Sequence, residues 1–343
     1  MAKKEIKEEG KGKLQEALDK LNKAYGVGTI LTLDSKSTGD YDVISTGSIG
    51  FDYITLGTGG FVKGKMYELM GWEGSGKSTI CGHAAAECQK KGGKVAYIDG
   101  EHAVDKKYFQ ALGVDTGKML IAQPDCGEQG FQIAMELINS GEVDLIIIDS
   151  DSSLIPKAVL DGDVGDSSIG KKARLNSNAY PKLKTALSEH SVCLLIVSQY
   201  REKIGIMFGN PTTTQGGHAL KFYSDCRVEV SKSLTKEGDV TVGNLTKVKA
   251  IKNKMSPPYR LHSFEVLYGV GIDKLGEIMQ LASDFEIIKK WGKSITFGEE
   301  KYTEEQFREN LLVNSFYKEL KDKIVDKIKN TEIKVEEPIN EEV

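Results

Sequence analysis

Met66 to Thr79 reads MYELMGWEGSGKST, and within it Gly71-Trp-Glu-Gly-Ser-Gly-Lys77-Ser78 fits the phosphate-loop pattern G-x-x-x-x-G-K-[ST]. A polyphosphate needs several backbone N–H groups aimed at it, and side chains at the crowded positions would block that approach. Gly71, Gly74 and Gly76 supply the room and the unusual dihedrals. The helix expected from Lys77 adds its free N–H groups and the positive end of its dipole. In this pattern Lys77 reaches the β- and γ-phosphates and the Ser78 hydroxyl takes Mg²⁺. Glu73, Ser75 and Thr79 complete the candidate nucleotide contacts. The flanks agree: Met66–Met70 is strand-like and Thr79–Gln89 is helix-like.

Outward from this loop, strands and helices alternate. Val95–Ile98, Val143–Ile148 and Cys193–Val197 are apolar runs of strand length. Helical patterns at Tyr108–Leu112, Gln129–Asn139 and Lys171–His190 separate them. Runs without polar alternation, divided by helices, imply an α/β fold with a mainly parallel sheet covered on both faces. Arg227–Val230, Thr246–Ile251 and His262–Val266 follow without helices between them and are expected as antiparallel additions at one edge. From Leu275 the texture changes to small helices around Ile278, Leu281, Phe285 and Ile288, then Trp291, then a charged helix from Thr303 to Lys329. The expected domains are therefore 1–38, an N-terminal helix and linker; 39–274, the core; 275–330, a small α+β C-terminal domain; and 331–343, a tail. The tail TEIKVEEPINEEV carries five Glu and one Lys, a composition usual for disorder.

Near the N-terminus Leu14, Ala17, Leu18, Leu21 and Tyr25 form one helical stripe, ended by Gly26 and Gly28. Spacing alone leaves two partners for it: its own core or a neighbouring copy. Composition narrows the class further. No apolar run approaches the ~18 residues of a membrane span, and MAKKEIKEEGKGK precedes no apolar segment, so no secretory signal is expected. The five cysteines lack metal-type spacing and read as thiols in a reducing, cytoplasmic setting. With 46 Lys and Arg against 50 Asp and Glu the net charge is −4, so any nucleic-acid contact must rest on local patches.

Four further stretches bear on the chemistry. Asp149 closes LIIID, the place of the second Mg²⁺ partner beside a phosphate loop. Glu101, just past the Val95–Ile98 strand, can orient water opposite a leaving phosphate; spacing alone equally allows a surface carboxylate. Ser198–Gly217, SQYREKIGIMFGNPTTTQGG, is a long aperiodic loop after a strand, with Arg201, Lys203 and Phe208. It reads as a mobile lid or as a DNA contact. A second loop, 159–170, is acidic through Asp161, Asp163 and Asp166, partly offset by Lys171, Lys172 and Arg174.

Taken together, STGS near residue 45, GWEGSGKST, YIDGEHAVD, QPDCGEQ, IIIDS, IKNKMSPPY and above all KIGIMFGNPTTTQGGHALKFY resemble the RecA family of recombinases. The likeness runs from the N-terminal helix to about Gly276 and more weakly beyond. It implies an ATP- and Mg²⁺-dependent ATPase that polymerises on single-stranded DNA and drives pairing with duplex DNA and strand exchange. By this resemblance Lys77, Ser78 and Glu101 are the phosphate ligand, the metal ligand and the water-activating residue. Asp105 and Tyr108 hold the adenine, and Gln199 links the γ-phosphate to the DNA loop. Lys252 and Lys254 reach the nucleotide of the adjacent subunit, as an arginine finger does in trans. Loops 159–170 and 200–217 contact single-stranded DNA, giving Val164, Ile169, Arg174, Ser177, Arg201, Lys203, Gly205, Ile206, Met207, Phe208, Gly216 and Gly217 as DNA-binding residues. The stripe Leu14 to Tyr25 becomes the helix that docks on a neighbouring copy. Pro181 departs from the family's frequent basic residue, with Lys182 beside it, and is expected to kink or end its helix. Ser198 replaces a common Asn. Rival readings are a ring-forming helicase, which would lack the KIGIMFGNP stretch, and a regulatory filament with degenerate hydrolysis, against which the intact Lys77, Ser78, Glu101 and Asp149 count. A small-molecule kinase is the weakest, since no acceptor pocket is evident.

Overall fold

Ile146, Ile147 and Ile148 are consecutive, and all are fully buried. That requires cover on both faces of the strand, because successive side chains point to opposite sides. In the computed structural model, which describes residues 2–26, 30, 41–163, 168, 170–202, 212–237, 240–333 and 335, this is what the fold supplies. The chain divides into two units, Met1–Tyr41 and Asp42–Val343. The first contains helix α1 (Ala2–Tyr25), on which Leu14 and Tyr25 are 62% and 74% exposed.

In the second unit β1 (Val43–Ile44) pairs antiparallel with β2 (Phe61–Val62), on either side of a helical turn at Phe51–Thr55. The core then alternates: β3 (Met66–Gly71), α2 (Lys77–Lys90), β4 (Val95–Asp99), α3 (Lys106–Ala111), β5 (Leu120–Ala122), α4 (Gly127–Asn139) and β6 (Leu145–Asp149). A 3₁₀ turn at Asp151–Ser153 leads to α5 (Lys157–Leu160), α6 (Lys171–His190), β7 (Cys193–Glu202), β8 (Thr212–Thr214) and α7 (Ala219–Tyr223). Four strands follow without a helix between them: β9 (Cys226–Glu237), β10 (Val240–Asn253), β11 (Leu261–Leu267) and β12 (Gly271–Ile272). The C-terminal part holds α8 (Lys274–Asp284), β13 (Ile288–Trp291), β14 (Ser294–Phe297), β15 (Glu300–Thr303), α9 (Glu304–Leu311) and α10 (Asn314–Asn330).

The main sheet runs β12-β11-β10-β9-β3-β7-β6-β4-β5, with β8 paired to β7. From β9 to β5 all neighbours are parallel, and β9 to β12 are joined antiparallel. Ile147, Leu195 and Val197 pack with Ile80 and Ala84 of α2 on one face, while Ile146, Ile148 and Ile196 pack with Phe131 of α4 and Leu183 of α6 on the other. The expected α/β core with antiparallel edge strands is thus the observed one, although the edge strands are longer than their apolar cores. The β-branched and basic residues that extend them give no apolar signal. No helix among the described residues is long and apolar enough to cross a membrane.

Three local expectations are corrected, and one strand has no counterpart among them. Ile288 does not lie in a helix; it opens β13 of a three-stranded antiparallel sheet, buried while Lys289, Lys290 and Trp291 are exposed. The charged stretch expected as one helix from Thr303 is two helices, parted at Leu312–Val313. Thr303 starts the first with a capping box: its Oγ1 accepts from Gln306 N–H (3.2 Å) and Gln306 Oε1 accepts from Thr303 N–H (2.9 Å). Pro181 does not end α6, which runs through it from Lys171 to His190. Strand β5 was not foreseen at all, because its three residues are too few for a pattern. Of the cysteines, Cys81, Cys88, Cys193 and Cys226 are buried and Cys126 is half-buried; all are free thiols.

Candidate functional site

Register places the site. Gly71 pairs with Gln199 and Asp99 with Asp149, so the carboxyl ends of β3, β6 and β4 form one row with Gln199 of β7. Ligands of open α/β sheets bind beyond such a row. The loop after β3 turns at Gly74 (φ 65°) and Gly76 (φ 96°), a conformation that residues with a Cβ rarely adopt. Gly71 answers a different demand: a Cβ there would lie 2.1 Å from the Val230 carbonyl oxygen. No side chain caps α2, so its first N–H groups are left to a ligand.

Lys77 Nζ donates to the carbonyl oxygens of Gly71 (3.0 Å) and Trp72 (2.8 Å) and to Ser75 Oγ (3.3 Å). Burial lowers its pKa, and the negative charges of Asp149 and Glu101 oppose that shift. Ser78 Oγ donates to Asp149 Oδ2 (2.7 Å), and the same oxygen accepts from Tyr97 Oη (2.5 Å). A hydroxyl and a carboxylate at this separation are hard oxygen donors of the kind Mg²⁺ takes. Among the described residues no group of three or more His, Cys, Asp or Glu could hold a metal by itself, so an ion here would complete its shell from phosphate and water.

Glu101 lies in the turn after β4. Gln199 Nε2 donates to its Oε1 at 2.7 Å, and Ser153 Oγ approaches the same oxygen at 3.4 Å. Burial raises the Glu101 pKa, and the negative charge of Asp149 raises it further. Asp99 braces this turn by accepting from the N–H groups of Ala103 (3.2 Å) and Val104 (3.3 Å) and from Gln123 Nε2 (3.1 Å). Asp105 caps α3, accepting from Lys107 N–H (2.8 Å) and Tyr108 N–H (3.3 Å), and Tyr108 Oη lies 2.7 Å from Thr79 Oγ1. Asp105, Tyr108 and Thr79 are therefore linked through α3, with Asp105 engaged in capping.

Toward the long loops, Arg174 and Ser177 are exposed on α6, and Arg201 is exposed on β7 opposite Thr213. Gly216 (φ 90°) and Gly217 (φ 79°) pack on α6, where a Cβ would fall 2.2 Å from Asn176 Nδ2 and 2.9 Å from Ala173 Cβ respectively. Val164, Ile169, Lys203, Gly205, Ile206, Met207 and Phe208 lie outside the described residues. Lys171 and Lys172, read as offsetting the acidic loop, are engaged by backbone: their Nζ atoms donate to Ala158 O (3.1 Å), at the surface, and Leu154 O (2.7 Å), further in.

Lys252 and Lys254 are not brought to this site. Lys252 pairs with Arg227, which pairs with Glu68, three residues before Gly71 on β3. They therefore sit toward the amino end of β3, about 10 Å back along the strands from Gly71. There Lys252 Nζ donates to Lys221 O (2.7 Å) and Phe222 O (3.0 Å), and Lys254 Nζ is 3.9 Å from Asp225. Burial lowers the Lys252 pKa, and the positive charge of Lys254 adds to the shift.

Sequence reasoning missed two residues. Tyr97 sits within an apolar strand, and its hydroxyl on Asp149 has no sequence signal. Trp72, in a variable position of the loop motif, meets the Tyr200 ring edge-on at 6.0 Å, and Tyr200 Oη donates to Glu229 (3.0 Å).

A family model described as RecA N-terminal domain matches residues 12–273. The chain is 49% identical over 286 residues to Protein RecA of Cytophaga hutchinsonii, covering 83% of this chain and 80% of that one. It is 46% identical over 299 residues to Protein RecA of Clostridioides difficile, covering 87% and 85%, and 46% identical over 298 residues to that of Bacillus thuringiensis, covering 87% and 86%. Similarity of this depth extends across the strand-end row and both loop bases, and the chain belongs to the RecA family, a recombinase whose enzymatic activity is DNA-dependent ATP hydrolysis.

Proposed function

We propose that the chain binds ATP with Mg²⁺ between subunits of a filament formed on single-stranded DNA, and that duplex DNA is its second substrate. The observation that carries this is the 2.7 Å bond from Gln199 to Glu101, which ties the strand entering loop 200–217 to the carboxylate beside the phosphate loop. Gly71, Glu73, Gly74, Ser75, Gly76, Lys77, Ser78 and Thr79 cradle the phosphates, with Asp105 and Tyr108 at the base. Ser78 and Asp149 hold Mg²⁺, which supplies charge neutralisation on the phosphates. Lys77 leaves its loop carbonyls for the β- and γ-phosphates. Gln199 occupies Glu101 Oε1, so Oε2, which accepts no hydrogen bond among the described residues, takes the proton from the attacking water. Loss of the γ-phosphate then changes the order of the loop through Gln199, a switch between ordered and disordered segments.

Arg174, Ser177, Arg201, Gly216 and Gly217, with Val164, Ile169, Lys203, Gly205, Ile206, Met207 and Phe208, form the single-strand contact. Lys252 and Lys254 act on the nucleotide of a neighbouring copy, which their distance from their own phosphate loop favours. The exposed stripe of α1 docks on that neighbour. In this reading 1–38 is the polymerisation segment, 39–274 the ATPase core, 275–330 the duplex-capturing domain and 331–343 an acidic tail, and the protein works in the cytoplasm. The test is steady-state ATP hydrolysis without DNA, with single-stranded DNA and with duplex DNA, beside Lys77→Ala. Strong stimulation by single strands, absent in the variant, is expected; turnover indifferent to DNA would overturn the reading.

A further inference from the structure

One carboxylate outside the nucleotide site is buried against three polar side chains of a single helix. Asp151 is 1% exposed and opens the 3₁₀ turn that follows Asp149 and Ser150. It accepts from Tyr180 Oη and from Asn176 Nδ2 (3.3 and 3.4 Å), and it pairs with Lys172 Nζ at 3.3 Å, all on α6. Asn176 is fully buried, and its Nδ2 also donates to the Gly216 carbonyl at 3.2 Å. At the other end of the same turn, Ser153 Oγ approaches Glu101 Oε1 at 3.4 Å. A three-residue turn therefore touches the glutamate of the nucleotide site at one end and, through Asn176, the end of loop 200–217 at the other.

Three features suit this cluster to transmit rather than to stabilise. A buried ion pair contributes little net stability against apolar residues of the same volume, because desolvation offsets its attraction. The contact at Gly216 leaves no slack, since even a Cβ there would lie 2.2 Å from Asn176 Nδ2. A displacement of the loop end must therefore move the amide or break its bond. The amide also has a second bonding state to move into, because Asn176 Oδ1 is buried and accepts no hydrogen bond among the described residues. A donor brought to it would relieve a real cost.

We propose that Asn176 is a positioning residue that carries the state of the loop ending at Gly216 to Glu101 through the Asp151–Ser153 turn, a second connection beside Gln199. This rests on the reading of Glu101 and loop 200–217 given above. It is the kind of element, shared by two sites, on which coupling depends.

Asn176→Leu tests it, with ATP turnover measured with and without poly(dT), the KM for ATP, and the anisotropy of a fluorescent oligo(dT). DNA-free turnover, KM and oligo(dT) affinity should stay within about twofold of the parent, while the stimulation factor falls about fivefold or more. Stimulation equal to the parent's, or DNA-free and DNA-stimulated turnover falling in proportion, would overturn it; the second outcome is what a merely structural role gives. Should Asn176→Leu not fold, Tyr180→Phe, which removes one hydroxyl from the same carboxylate, takes its place. A stimulation factor lowered about threefold supports the proposal and an unchanged one overturns it. A parent protein that DNA does not stimulate would instead overturn the reading of the site itself.

Discussion

Glu101 shows what a single residue's surroundings decide. Its position after a strand end could be read from the sequence, but its role could not, since a surface carboxylate has the same spacing. Burial and the nearby Asp149 charge raise its pKa, so the ionised base needed for water activation is lost at a higher pH than for an exposed glutamate. We expect kcat to fall as pH drops through that raised value. Glu101→Gln should keep ATP binding and lose turnover by about 10²–10⁴-fold, and its residual rate should no longer follow that acid limb. A nucleotide-binding titration with a pH–rate profile checks both, and normal turnover in the variant would remove Glu101 from the mechanism. The phosphate loop was legible because backbone chemistry fixes its glycines at fixed spacing. Tyr97 and Asn176 were not, because nothing local distinguishes a buried hydroxyl or amide that finds its partner 52 or 25 residues away.

Elements were legible where one pattern ran long enough and one face had a single neighbour. LIIID and CLLIV announced buried strands, whereas IKKW, four residues with one buried position, did not. Helix α2 carries its own consequence. His83 Nε2 accepts the Ile272 N–H of β12 at 2.9 Å, and burial lowers the His83 pKa from 6.5 to about 4. A base with a depressed folded pKa contributes stability that is present above 6.5 and is lost as pH falls toward 4, because the unfolded chain takes the proton first. The full difference is roughly 3 kcal/mol. His83→Gln keeps an acceptor without titrating, so the gap between the two proteins' thermal stabilities should narrow as pH drops from 6.5 to 4; a constant gap would contradict the burial argument. Helix α6 is the opposite case, an element that persists against its sequence. Pro181 has no N–H for the Ser177 carbonyl, yet the helix continues. Pro181→Ala restores that bond, and against the smaller entropy Pro leaves the unfolded chain the net gain should be about 1–2 kcal/mol. Calorimetry showing no rise in Tm would mean that the helix already curves to suit the proline.

At the scale of the whole molecule, the proposed function divides the site between two chains. The row of strand ends gathers Lys77, Ser78, Glu101, Asp149 and Gln199, while register puts Lys252 level with Glu68, toward the amino end of β3. On the proposed reading these lysines serve a neighbour's nucleotide, which would make the contact head-to-tail, the kind that builds open filaments. The consequence is testable without any structure of the filament. Lys77→Ala should be inactive because its own loop fails, and Lys252→Ala/Lys254→Ala because it fails its neighbour. Mixed in equal amounts on single-stranded DNA, the two should regain turnover. Random order along the strand places an intact phosphate loop against an intact lysine pair at about a quarter of the sites, which sets the ceiling for recovery. Recovery should follow the product of the two mole fractions and peak at equal mixing. If each variant were inactive for reasons internal to its own chain, no mixture would hydrolyse ATP faster than its components, and the lysines would have to be assigned to holding α7 and Asp225 in place.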